Sequence, residues 1–452
     1  MSLPNPIEAM QGDLTAWRQE LHKHPETGFD LPRTTKFVAE KLIGFGLDKV
    51  VRATKSETHQ IVETTIEGRT RTRRRAFEPG DAPGDAPDPD TLWQRNVTPA
   101  GVSVGGVVGV LKGRQGDGKK GKAIMLRADM DALPMAEETG LAHQSLTPGK
   151  FHGCGHDGHT TCLLGAARRL AETRNFEGTV YFCFQPAEEG DAGARAMIES
   201  GLFDKFRTSA IYGAHNWPGT PIGFMGFKDG QMLAASNEFW IEITGQGGHG
   251  ARPHQSHDPL VAGAQMVLEL QTVVSRMIDP VETAVLSVTQ FESGTTTNVI
   301  PGSARLAGTL RSFSNEVMAQ MVAAIEQKCH EISQRDGFEA RVRFTANPYP
   351  ALINTRQNFR IAARIGQELC PEGLCLTEMP RAMGSEDFAY YLLKRAEDKP
   401  AVPGCFVIFG NGQQSKMLHH PQYDYNDAAT PHMVAYWVRL VESSLPVKSQ
   451  GE

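Results

Sequence analysis

The chain has 452 residues, too many for one ordinary core, and 40% of them are hydrophobic against 22% charged. That balance belongs to a folded globular protein of two or three domains and excludes a fibre, a coiled coil or a disordered chain. With 46 basic and 52 acidic residues the net charge is -6, which offers no general attraction to nucleic acid or to an anionic membrane.

The N-terminal stretch "MSLPNPIEAMQGDLTAWRQELHKHPE" has no basic segment leading into an apolar one, and no apolar run reaches membrane-spanning length, so a cytoplasmic, unanchored protein is expected. Two helical patterns follow, around "LTAWRQELHKH" and "TTKFVAEKLIGFG", the second stopped by Gly44 and Gly46. Residues 55–100 hold the basic run "RTRTRRR", the repeat "GDAPGDAP" and "DPDTLWQRN", a composition that predicts a mobile surface insert. "GVSVG" has the spacing of a nucleophile elbow around Ser103, but the strand "GVVGVLKG" follows it where the elbow needs a helix, which leaves a serine hydrolase as a weak alternative.

Further short apolar strands are predicted at "AIMLRADMD", "TVYFCFQ" and "AIYGAH", with the helix "CLLGAARRLAE" between the first two. Their unbroken apolar character suits strands buried on both faces, an α/β pattern with a mostly parallel sheet flanked by helices. Near Ala235 the texture changes. "NEFWIEITG" alternates like a half-buried strand, and a helix follows with Leu260, Ala264, Val267, Val274 and Ile278 on one face. The strands "ETAVLSVTQF" and "SARLAGTLRSF", a helix near 315–335 and the strand "EARVRFTA" complete a small α+β sandwich. The expected division is a first domain in two parts, 1–234 and 348–452, with a smaller second domain inserted at 235–347. "GQGGHG" within that insert lacks the helix and the acidic residue a dinucleotide site requires.

"GKFHGCGHDGHTT" concentrates chemistry. Cys154 and His156 stand two apart in a glycine-flanked turn at a helix start, a plausible half-site for a transition metal. Glu188 and Glu189 follow a buried strand at the rim where open α/β sheets hold ligands. His215 in "YGAHNWP" and the pair His419 and His420 in "LHHPQYDYND" lie beside other predicted core strands. Four such groups together favour a metal site over coincidence. A redox role for Cys154 lacks a C-x-x-C partner, and seven scattered cysteines form no disulfide framework.

The ordered set "HGCGHDGHT", "FQPAEEG", "GAHNWP", "GGHGARPH", "TTTNVIP", "GTLRSF", "MGSEDFAYY" and "LHHPQYDYND" resembles the amidohydrolases of the aminoacylase and carboxypeptidase G superfamily, in the hippurate hydrolase and auxin-conjugate hydrolase branch. The resemblance spans nearly the whole chain outside 55–100. It implies two divalent metal ions per subunit held by Cys154, His156, Glu189, His215 and His419, with Cys154 bridging and His419 chosen over His420 because Pro421 lies two residues on. A bridging thiolate argues for zinc, manganese, cobalt or nickel over magnesium. The resemblance makes Glu188 the general base, His249 the oxyanion-stabilising group, and Asn298 and Arg311 the holders of a substrate carboxylate. It puts Asp129 and Asp131 behind the ligands, orienting their imidazoles, with Asp157 in support and His152 and His159 shaping the loop. The implied activity is hydrolysis of the amide bond of a small-molecule N-acyl amino acid by a homodimer or homotetramer, with no nucleic-acid or membrane partner. The alternative of another class is a non-catalytic dimeric binding protein on the same fold.

Overall fold

The computed structural model describes residues 5–52, 63–66, 69–72, 105–114, 122–394 and 400–447. Within 55–100 this leaves two antiparallel strands, 63–66 and 69–72, that pair with each other; the rest of that segment and Ser103 lie outside the described residues.

The first half of the chain contributes α1 (Gln11–Lys23), α2 (Pro32–Gly44), β1 (Lys49–Arg52), β2 (Val107–Lys112), β3 (Ala123–Asp129), α3 (His156–Thr173), β4 (Thr179–Gln185), α4 (Gly193–Glu199), β5 (Ala210–Trp217) and β6 (Met225–Gly226). There follow β7 (Ala235–Thr244), α5 (Pro259–Thr272), β8 (Ala284–Ser293), β9 (Ser303–Ser312), α6 (Asn315–Ser333) and β10 (Glu339–Phe344). The chain closes with α7 (Arg356–Leu369), β11 (Cys375–Leu376), β12 (Gly404–Gly410) and α8 (Thr430–Ser444).

An eight-stranded sheet runs β1-β2-β4-β3-β5-β12-β6-β11. Its centre, β4-β3-β5-β12, is parallel, while β1, β2 and β6 pair antiparallel at the flanks. The central strands are buried almost throughout because each face meets its own core. Ile124, Leu126, Phe182 and Val407 pack with α1, α3 and α8 on one side, and Met125, Cys183, Ile211 and Phe406 with α4 on the other. This accounts for the unbroken apolar runs.

The chain leaves this sheet at β7 and builds a second, antiparallel one, β8-β9-β7-β10. In β7 buried and outward residues alternate strictly, so the period of two is legible in the sequence. On α5 and just beyond it the buried face is only partly the expected one: Val267 and Val274 pack against the core and Ile278 is buried, but Leu260 and Ala264 are exposed. Pro259, Ala262, Gly263, Met266 and Leu270 face inward, whereas Leu260, Val261 and Leu268 are exposed. The helix is apolar on two sides, and periodicity alone cannot say which side meets the sheet.

The functional consequence of the parallel centre is geometric. β3, β4, β5 and β12 all end at one rim, so Asp129, the 186–193 loop, the His215 region and the segment after Gly410 converge there.

Candidate active site

Gly155 separates Cys154 from His156 and adopts φ +92°, a left-handed conformation that favours glycine, as it caps α3. The turn is clamped from two sides: Asn216 Nδ2 donates to the Cys154 carbonyl at 2.7 Å, and His419 N donates to the Gly153 carbonyl at 2.8 Å. The His156 ring is fixed by Nδ1, which donates to the Asp131 carbonyl at 2.8 Å and leaves Nε2 as a lone-pair donor. His215 is held likewise, Nδ1 to the Asn216 carbonyl at 2.7 Å, with Nε2 3.3 Å from Cys154 Sγ. β5 continues two residues beyond His215, which therefore sits in the strand rather than after it, paired with Ile408 of β12.

Glu188 and Glu189 ride on a tight loop flanked by Ala187 (φ +56°) and Ala192 (φ +51°). His419 is also left-handed, at φ +65°. Such backbones cost on the order of 1–3 kcal/mol each for residues other than glycine and persist where the surroundings enforce them. Between the two alanines Asp131 holds the loop, its two carboxylate oxygens accepting from Glu188 N at 2.9 Å and Glu189 N at 3.1 Å. Glu189 Oε1 then lies 3.4 Å from His419 Nε2 and 3.9 Å from His156 Nε2.

The five expected ligands are thus brought together, in two overlapping triads. Donor atoms of Cys154, His156 and His215 lie within 4.8 Å of one another, and so do those of Cys154, Glu189 and His419. Cys154 is the shared member. His156 Nε2 and Glu189 Oε1 are buried without a hydrogen-bond partner, which is costly unless a further group satisfies them. Two imidazole lone pairs, a thiol and a carboxylate with an adjacent imidazole fit a pair of transition-metal ions.

The electrostatics agree with a site built for cations. Burial, then the neighbouring Glu189 and Glu188 carboxylates, push the Cys154 thiol well above its ordinary range, so a positive charge is what would make it a thiolate. Burial disfavours protonation of His156, but Asp129, followed by Asp131 and Glu189, outweighs it and raises the pKa to about 10. Burial, followed by the neighbouring His159 imidazole, holds the His215 pKa well below its ordinary range. Glu188 is only 7% exposed, and burial, then Glu386 and Glu189, raise its proton affinity well above the ordinary carboxylate range.

Asp129 does not reach a ligand by hydrogen bond as expected. It accepts from His159 Nδ1 at 2.7 Å and from Arg127 Nη1 at 2.7 Å. His159 Nε2 in turn accepts from Asn216 N at 3.0 Å, so its ring supports the residue that clamps Cys154. His152 is buried with both ring nitrogens unpartnered. Asp157 accepts from His22 Nδ1 at 2.7 Å and tethers the helix start to α1.

Sequence reasoning gave no role to Asn216, Arg127, Tyr349, Glu386 or Asp387. Arg127 carried a signal, a charge inside an otherwise apolar strand, and "MGSEDFAYY" another, two carboxylates in an apolar setting. Of His249, Asn298 and Arg311, the histidine joins none of the donor clusters found among the described residues. The first two lie together: Gly248–His249 pairs with Val299–Ile300, and Gly250 N donates to the Asn298 carbonyl at 2.8 Å. Arg311 is half-buried on β9, its Nη1 donating to Thr309 Oγ1 at 2.7 Å.

Residues 125–443 match the model of Peptidase family M20/M25/M40. The chain belongs to this family. This M20 chain is 34% identical to the hippurate hydrolase of Campylobacter jejuni over 97% of its own length and 98% of the relative's. It is 33% identical to an N-acetylcysteine deacetylase of Bacillus subtilis over 96% and 97%, and 38% identical to an IAA-amino acid hydrolase of Arabidopsis thaliana over 73% and 74%. Among solved structures, a Bacillus subtilis protein described as a dinuclear metal-binding peptidase of the M20 family superposes on the M20 chain with a TM-score of 0.71 at 29% identity, covering 97% of this chain and 99% of that one.

Proposed function

We propose that this chain hydrolyses the amide bond of N-acyl amino acids to a carboxylic acid and an amino acid, using two divalent metal ions. The observation that carries the reading is the pair of donor triads sharing Cys154, with a further carboxylate, Glu188, beside Glu189. The names of the relatives, which include a hippurate hydrolase, an N-acyl-L-amino acid amidohydrolase and deacetylases, support the substrate class.

Cys154, His156 and His215 would hold one ion and Cys154, Glu189 and His419 the other. The shared thiolate suits zinc, manganese, cobalt or nickel. Bound at such a site, divalent cations supply Lewis acidity, polarising the scissile carbonyl and lowering the pKa of water to about 7. Glu188 takes a proton from the attacking water as its oxygen bonds to the carbonyl carbon, and delivers that proton to the amide nitrogen as the C–N bond breaks. Its high proton affinity in the buried site favours receiving the proton. His249 is exposed, and its Nδ1 accepts from Ala251 N at 3.0 Å, which leaves Nε2–H as a donor for the tetrahedral oxyanion. Asn298 and Arg311 would hold the substrate carboxylate.

In this reading residues 235–347 form an inserted lid on a catalytic unit made of 1–234 and 348–452, a division supported by the separate second sheet. A homodimer through the lid is supported by the exposed Leu260, Val261 and Leu268 of α5 and the neighbouring Phe291 of the edge strand β8. It would let His249 complete a partner's site.

The test is a hydrolysis screen of benzoyl, acetyl, indoleacetyl and aminobenzoyl amino acids with added divalent metals. Turnover of at least one, abolished by chelation and restored by metal, is expected. Turnover that survives chelation supports a serine nucleophile instead, and absence of both bound metal and turnover supports a binding protein.

A further inference from the structure

We infer that Asp387 is a positioning residue for Glu188, an inference that rests on the reading of Glu188 as the general base. Asp387 is fully buried and opens a short 3-10 helix, Asp387–Leu392, that follows the inserted second sheet in the chain. Its carboxylate ties down both ends of the loop that carries Glu188. At the near end Gln185 Nε2 donates to Oδ1 and Oδ2, each at 2.9 Å, and at the far end Ala194 N donates to Oδ2 at 2.9 Å. Arg127 Nη2, 2.9 Å from Oδ1, anchors the carboxylate to β3. The main-chain N–H of Asp387 then points at the Glu188 carboxylate, 3.4 Å from Oε1.

The contrast with Asp131 gives this arrangement its specificity. Asp131 accepts from the backbone of both Glu188 and Glu189 and so acts on base and ligand alike. The hydrogen bonds of Asp387 go to Arg127, Gln185, Ala194 and Glu188, none of them an expected metal ligand. Glu189 rides on the same loop, but Asp131 still anchors its main chain, so loosening Asp387 acts on the Glu188 carboxylate that the Asp387 N–H touches while the Glu189 backbone stays tied. A displacement of about 1 Å at a reacting group costs up to about 100-fold in rate.

The test compares Asp387→Ala and Asp387→Asn with wild type and Glu188→Gln, measuring kcat, KM and metal content on whichever N-acyl amino acid is turned over. Expected is a fall in kcat of about 10-fold to 100-fold for the alanine variant and a smaller one for asparagine, which still offers an oxygen to Gln185 and Ala194. KM and metal content should stay at wild-type values. In the Glu188→Gln background the second substitution should lower kcat by less than about twofold, because Asp387 acts through Glu188. If the alanine variant does not fold, the asparagine variant and its double mutant carry the same comparison. The inference is overturned by wild-type kcat in the folded variants, by a loss of metal in proportion to the loss of rate, or by an undiminished effect without Glu188. A Glu188→Gln protein with wild-type turnover overturns the general-base reading itself, which sets that failure apart from failure of the inference alone.

Discussion

A single methyl group at Gly155 tests how tightly the turn between Cys154 and His156 is built. In Gly155→Ala the new Cβ would lie 2.4 Å from Asn216 Nδ2 and 2.5 Å from Tyr423 Oη, with the backbone still at φ +92°. The left-handed conformation costs about 1–2 kcal/mol for an L-residue. Relieving the clash means displacing Asn216 from the Cys154 carbonyl (2.7 Å) or Tyr423 from Asn216 Oδ1 (2.7 Å), and a buried group left unpaired costs about 1–3 kcal/mol more. The expected destabilisation is about 2–5 kcal/mol, read as a lower urea midpoint at unchanged m-value. Because the same shift moves Cys154 and His156, metal affinity falls with it. A loss below about 0.5 kcal/mol, the size of an ordinary surface substitution, with full metal content, refutes the account of the turn.

Glu188→Gln is expected to lower kcat by about 100-fold to 10,000-fold with metal retained, whereas Glu189→Gln should lose metal; elemental analysis beside steady-state rates separates the two, and metal loss in the first variant contradicts the division of roles. His22 gives a pH signature. Burial opposes its charge, but hydrogen bonds to Asp157 and Glu137 outweigh this and raise its pKa to about 9. With a folded value above the unfolded one of about 6.5, the contribution is complete below that pH and lost as pH rises through about 9, on the order of 3 kcal/mol. Urea midpoints between pH 6 and pH 10 should show a fall in wild type that flattens in His22→Gln; equal slopes would count against it. Leu268→Glu, on the exposed face of α5, should shift the oligomer toward monomer in sedimentation, and an unchanged dimer would place the interface elsewhere.

The longer strands of both sheets are legible in the sequence because burial on two faces gives unbroken apolar runs and burial on one gives alternation, as in β4 and β7, while the short β1, β6 and β11 go unpredicted. The residues of the two donor triads are legible because a cysteine, histidines and paired glutamates at strand ends are chemically conspicuous. Two things are not. Periodicity finds a helix at α5 but cannot orient one that is apolar on two sides. The groups that hold the donors in place are ordinary polar residues whose meaning lies in their partners: Asn216 reaches back to Cys154, and Arg127 meets Asp387 from a distant part of the chain. Arg127 at least shows that a partner must exist, since a fully buried guanidinium needs one, but not which.

The central claim is that Cys154 bridges two ions. Reconstitution with cobalt tests it most directly, by metal stoichiometry together with the sulfur-to-cobalt charge-transfer absorption of the protein and of Cys154→Ser. The account predicts two cobalt ions per chain and a thiolate band, with the band gone and at least one ion lost in the variant. Two ions bound without a thiolate band, or a band that survives in Cys154→Ser, would contradict it.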